Sequence, residues 1–173
     1  MKLELLKEKD FDKLLKTAFI LSIITIVYNV AEGLVSTIYG YSDETIALFG
    51  FGVDSFVEVI SGLGIAHMTW RMKKSEVTSR DKFERQALTI TGVAFFILFA
   101  GLLAGSVLNI VYGSKPDTTV MGIIISSISI LTMLILYRYK MKVGEALKSD
   151  PIIADAKCTK TCFYLSFILL ASS

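Results

Sequence analysis

Five stretches of the chain stay apolar for close to twenty residues. A helix rising 1.5 Å per residue needs about that length to cross a hydrocarbon core of about 30 Å. They run from Thr17 to Tyr39, Thr45 to Trp70, Ala87 to Tyr112, Val120 to Tyr137 and Ile152 to Ser173. None carries the charge density of a soluble amphipathic helix, so the pattern predicts an all-α membrane protein, a polytopic bundle of five transmembrane helices over residues 17–173. Ahead of them, residues 1–16 set Leu3, Leu6, Phe11, Leu14 and Leu15 among alternating charges, the pattern of a short cytoplasmic amphipathic helix lying on the membrane surface. The first apolar run is too long for the core of a signal peptide and follows a charged stretch, so it is expected to remain in the mature chain.

Composition supports the same class. The 173 residues are 53% hydrophobic and 20% charged, too apolar for an ordinary soluble domain of this size. Lys and Arg crowd into alternate connections: five before the first run, six between the second and third, and four between the fourth and fifth, of eighteen in all. The first-to-second connection has none and the third-to-fourth only Lys115. This asymmetry predicts a cytoplasmic N-terminus, and an odd number of spans then leaves the C-terminus outside; the membrane is expected to be the plasma (inner) membrane. The net charge of +2 then reflects topology and gives no reason to expect a nucleic-acid partner. The last run ends with the chain and no polar stop follows it, which is what a fragment of a longer reading frame would show.

Within such runs a carboxylate is expensive, at least about 2.5–3.5 kcal/mol at the bilayer centre on insertion scales. Asp54 and Glu58 stand four apart in the second run, and Cys158 and Cys162 four apart in the fifth. The i, i+4 spacing puts each pair on one helical face. Two carboxylates that close resist being ionised together, so they invite either a shared proton or a cation. Glu58 lies twelve residues in from Trp70 and Cys162 eleven in from Pro151, which places both about 17 Å deep. Two carboxylates and two thiolates meeting there would form a four-ligand site of mixed hardness, suited to zinc or cadmium rather than magnesium or calcium. The alternatives are protonated, hydrogen-bonded packing acids for the first pair and small apolar packing residues for the second. A disulfide across one helical turn would need local distortion, so the cysteines are expected to be reduced.

Other polar positions leave two readings each. Asp155 shares the face of the cysteines and either guides an ion inward or caps the start of the fifth helix. Glu32 with Asn29 is a bundle hydrogen bond or a pathway residue. Lys157 and Lys160 snorkel to the headgroups, or Lys160 turns inward and competes for Glu58. His67 is interfacial or an entry ligand. Gly101 with Gly105, and Ser126, Ser127 and Ser129, read as close-packing positions, while Gly50, Gly52, Gly62 and Gly64 let another backbone approach the acids. Ser75, Thr78 and Ser79 are candidate helix starts.

The stretch Phe51-Gly-Val-Asp54-Ser-Phe-Val-Glu58-Val-Ile-Ser61 resembles the metal-binding second helix of the cation diffusion facilitator (cation efflux) family, with Glu58 where that family has a second Asp. Ala154-Asp155-Ala-Lys-Cys158-Thr-Lys-Thr-Cys162 resembles its fifth helix, where the usual ligands are His and Asp. The thiols keep the spacing and soften the donors. The resemblance extends over essentially the whole chain and implies a homodimeric divalent-metal transporter that exports zinc or a cadmium-like ion from the cytoplasm in exchange for protons. It also implies a sixth helix and a following cytoplasmic domain that this sequence does not contain. A non-transporting metal sensor or subunit is the alternative, and no enzyme is expected, since no nucleophile stands beside a paired base. No prosthetic group is expected, the metal being cargo.

Overall fold

A computed structural model of the protein describes residues 2–42, 46–74, 80–112 and 120–172. Every described element is helical: α1 (Lys2–Ser42), α2 (Ile46–Lys74), α3 (Arg80–Tyr112), α4 (Val120–Leu147) and α5 (Asp150–Ser172). The polar residues face inward. On α1, Ser22, Thr25, Asn29, Glu32 and Ser36 recur at steps of three and four and are buried, while Ile20, Ile23, Val27, Val30, Leu34 and Ile38 on the other faces are exposed. That distribution suits a solvent of lipid, which accepts apolar side chains and leaves hydroxyls and amides to find partners within the bundle. Hydroxyls such as those of Ser22 and Thr25 donate to the carbonyl one turn back. Among the described residues, four helices are long and apolar enough to cross a membrane, over Asp10–Tyr41, Ala47–Lys73, Lys82–Gly105 and Val120–Leu147. The chain is an all-α, polytopic integral membrane protein.

Three boundaries differ from the sequence expectation. The fifth apolar run forms α5, whose 23 residues would span about 34 Å, but Asp150, Asp155, Lys157 and Lys160 in its first half make it too polar to qualify as a span by composition. The expected surface helix is not a separate element, since α1 runs unbroken from Lys2 through Thr17. Its Phe11, Leu14 and Leu15 pack on Ile65, Met68, Phe83, Val143, Leu147 and Ile152 from the other four helices, because those helices extend far enough at this lysine-rich end to offer an apolar surface. The side chains of Leu3 and Leu6 lie outside the described set. Finally, α4 continues ten residues past Tyr137, carrying Arg138, Lys140 and Lys142 within the helix. Ser75, Thr78, Ser79 and Lys115 lie outside the described residues.

The helices meet where side chains are small. At Gly52 a Cβ would stand 2.7 Å from the Thr37 amide nitrogen and 3.0 Å from the Gly33 carbonyl oxygen, so α1 crosses α2 in near backbone contact. At Gly144 a Cβ would stand 3.1 Å from the Ile153 nitrogen, where α4 turns into α5. That corner is a Schellman motif: the Lys148 N–H donates to Glu145 O at 3.1 Å and the Ser149 N–H to Gly144 O at 3.0 Å, with Lys148 left-handed at φ 51°. Pro151 follows in the first turn of α5, where the proline's missing N–H would have no intrahelical partner. Ser126 and Ser129 are buried as expected of packing residues, whereas Ser127 is exposed and bonded only to its own helix at Ile123 O, and Gly101 and Gly105 have no atom of a neighbouring element within 4 Å of where a Cβ would be.

Candidate functional site

The helices α2 and α5 run antiparallel, and their polar contacts form one ladder. Ser61 donates to Asp155 Oδ1 at 2.7 Å, and Thr159 donates to Glu58 Oε1. Cys162 interacts with Asp54. Further along, Leu48 and Phe51 share an apolar cluster with Leu165 and Leu169. This register differs from the depth count from the helix ends, which set Glu58 opposite Cys162. Thr159 stands there instead, and Cys162 lies about one turn farther on, beside Asp54. The count assumed that both helices leave the membrane at Trp70 and Pro151, but the pairing is set by side-chain fit between the helices.

All four predicted residues are interior. Asp54 is 1% exposed, Glu58 0%, Cys158 0% and Cys162 2%, and both cysteines are free thiols. Cys158, Asp54 and Glu58 all act electrostatically on Cys162. They do not close into a coordination sphere: among the described residues, no three His, Cys, Asp or Glu side chains converge as a metal-binding group. The cation beside Glu58 is a lysine. Lys140, 2% exposed, places Nζ 2.9 Å from Asp155 Oδ2 and 3.6 Å from Glu58 Oε1 and donates to Thr159 Oγ1 at 2.8 Å. The Thr159 hydroxyl in turn donates its hydrogen bond to Glu58. Ser61 gives its single proton to Asp155, so the Thr91 hydroxyl, 3.1 Å away, donates to Ser61. Thus α2, α3, α4 and α5 all contribute to one buried polar layer.

Lys140 is the residue that sequence reading missed, because a lysine after Tyr137 was assigned to a cytoplasmic connection. A signal was present in the helical phase. Ile125, Ser129, Met133, Leu136, Val143 and Leu147 form the buried stripe of α4, and Lys140 falls in step with them. Asp155 neither caps α5 nor stands free for an ion, since Ser61 and Lys140 hold it. Lys160 does not compete for Glu58; its Nζ lies 5.8 Å from the Tyr137 ring centroid and 5.7 Å from that of Tyr164. His67 is exposed on α2. Glu32 is a bundle residue, accepting from Tyr28 at 2.7 Å and from Ser55 of α2 at 3.0 Å.

Polar satisfaction across the layer is uneven. Both Asp54 carboxylate oxygens and Glu58 Oε2 are buried without a well-formed hydrogen bond, and the Cys162 thiol is the donor group that faces Asp54. Apolar clusters close the layer on both sides. One, at the lysine-rich end, contains Leu15, Ile65, Met68, Val143 and Ile152; the other contains Leu48, Phe51, Ile125 and Leu169. The buried polar layer thus lies between two apolar clusters that separate it from the helix ends on either side.

Over 138 residues the chain is 28% identical to a protein of Methanocaldococcus jannaschii named an uncharacterized transporter, an alignment covering 78% of this chain and 49% of that protein. The chain thus spans about half the length of the curated relative it matches. No family model matches the chain. No solved structure matches it.

Proposed function

We propose that this chain is the membrane part of a divalent-metal transporter that moves zinc, or a cadmium-like ion, out of the cytoplasm in exchange for protons. The observation that carries this reading is the carboxylate of Asp54, buried with neither oxygen in a well-formed hydrogen bond and with the Cys162 thiol beside it. A buried charged group without a partner is costly enough that a cation or a proton is expected to complete it in turn. Glu58 contributes its free Oε2, and the sulfur donors of Cys158 and Cys162 favour a soft or borderline ion. Metal binding would displace the thiol protons, which supplies the protons for exchange. The resemblance to the cation diffusion facilitators and the relative's name as a transporter support the same class. On this reading the N-terminus is cytoplasmic in the plasma membrane, α5 crosses as a fifth span, and the protein works as a homodimer as a carrier rather than an enzyme.

A second reading, a metal-binding membrane protein without turnover, is favoured by one observation, the tie of Lys140 and Thr159 to Glu58. Zinc and cadmium flux into proteoliposomes containing a pH dye separates the two. Metal flux with proton counter-movement, lost in Asp54→Ala, is the result expected of an exchanger. Binding without flux leaves the second reading, and flux unaffected by Asp54→Ala refutes the site.

A further inference from the structure

We infer that Lys140 is a built-in cation that holds Glu58 while no metal is bound and that sets a charge threshold a transported ion must exceed; this rests on the metal reading above. A buried ammonium is costly, and replacing a buried ion pair with apolar residues often leaves a protein as stable or more so, so Lys140 is not explained by stability alone. Its geometry is asymmetric. The ammonium pairs directly with Asp155 Oδ2 at 2.9 Å but stands 3.6 Å from Glu58 and reaches it mainly through the Thr159 hydroxyl.

Asp155 therefore balances Lys140 when Glu58 lets go, and no buried charge is stranded. Asp54 and Glu58 are then left with two negative charges, joined by that of each thiol that yields its proton to the metal, so a dication offsets charge that a monovalent ion leaves standing. A monovalent ion offers Glu58 no more charge than the ammonium already nearby, and it also has to be dehydrated. Lys140 thus acts as a selectivity residue for charge, admitting divalent ions and excluding sodium or potassium. Serving this role requires the ammonium to stay within the layer in both states, which the pairing with Asp155 allows.

The test is cadmium binding to the full chain in lipid nanodiscs, read from thiolate-to-metal charge-transfer absorption, with and without excess sodium. Lys140→Gln is expected to bind cadmium at least tenfold more tightly than the parent and to become sensitive to sodium, while Lys160→Gln, on the outer side of α5, binds like the parent. Because Lys140→Gln strands Asp155, the double variant Lys140→Gln/Asp155→Asn is measured alongside, and both should gain more thermal stability from cadmium than the parent does. Cadmium absorption that emerges only once Lys140 is neutralised supports the inference in its strongest form. Equal affinity and equal sodium insensitivity in the parent, Lys140→Gln and the double variant overturn the role of Lys140 and leave the metal reading standing. An absence of cadmium absorption in every variant, the parent included, overturns both.

Discussion

Replacing Gly52 by Ala tests whether the crossing of α1 over α2 is as close as the site requires. The added Cβ would meet Thr37 Oγ1 at 2.5 Å, the Thr37 nitrogen at 2.7 Å and the Gly33 oxygen at 3.0 Å. Carbon contacts are comfortable at about 3.5–4.0 Å, so α1 must retreat by something on the order of 1 Å. Two of the three obstacles are backbone and cannot rotate away. Overpacking of this kind costs about 1–3 kcal/mol. Against it stands the gain from a better helix former, about 1 kcal/mol for Gly to Ala. Gly50→Ala is the internal control, because it has the same propensity gain on the same helix and no atom within 4 Å of its Cβ. The difference between the two variants cancels propensity and isolates the clash, so Gly52→Ala should be less stable than Gly50→Ala by about 1–3 kcal/mol. Reversible unfolding in mixed micelles, followed by circular dichroism, measures both. Equal stabilities would refute the close crossing, and with it the placement of Glu32 against Ser55, the residue next to Asp54.

Three further outcomes follow from the described contacts. Lys140→Met in the absence of metal strands Glu58 and Asp155 and should cost about 3–5 kcal/mol, whereas Lys160→Met at the periphery should cost less than about 1 kcal/mol, read by the same unfolding assay. Lys148→Gly relieves a left-handed non-glycine residue at the end of α4 and should stabilise the protein by about 1 kcal/mol; no gain would mean that the Schellman geometry is not held in the membrane. Cys158 and Cys162, free and buried, should react with a membrane-permeant maleimide far more slowly in the folded protein than after SDS unfolding, with two thiols counted by mass spectrometry. Rapid labelling of both in the folded state would contradict their burial in the layer.

Much of this architecture was legible from local patterning. Four apolar runs became helices of membrane-spanning length, since helix hydrogen bonds close within four residues and the bilayer sets the length. The cost of placing a carboxylate in such a run was enough to single out Asp54 and Glu58, and the i, i+4 rule enough to put each pair on one face, all interior in the fold. Which groups then meet was not local. Side-chain fit places Thr159 rather than Cys162 across from Glu58, one helical turn from the register counted from the helix ends. Hydropathy ended the fourth run at Tyr137 because it scores Lys140 as a charge in water, yet the helix carries it inward to Asp155 and Glu58. Those anions come from α5 and α2, distant in sequence, and a buried lysine is tolerable only where such partners converge. The chain's own order therefore determined a helical membrane protein with acids and thiols inside it, and only the tertiary packing decided that a lysine shares their layer.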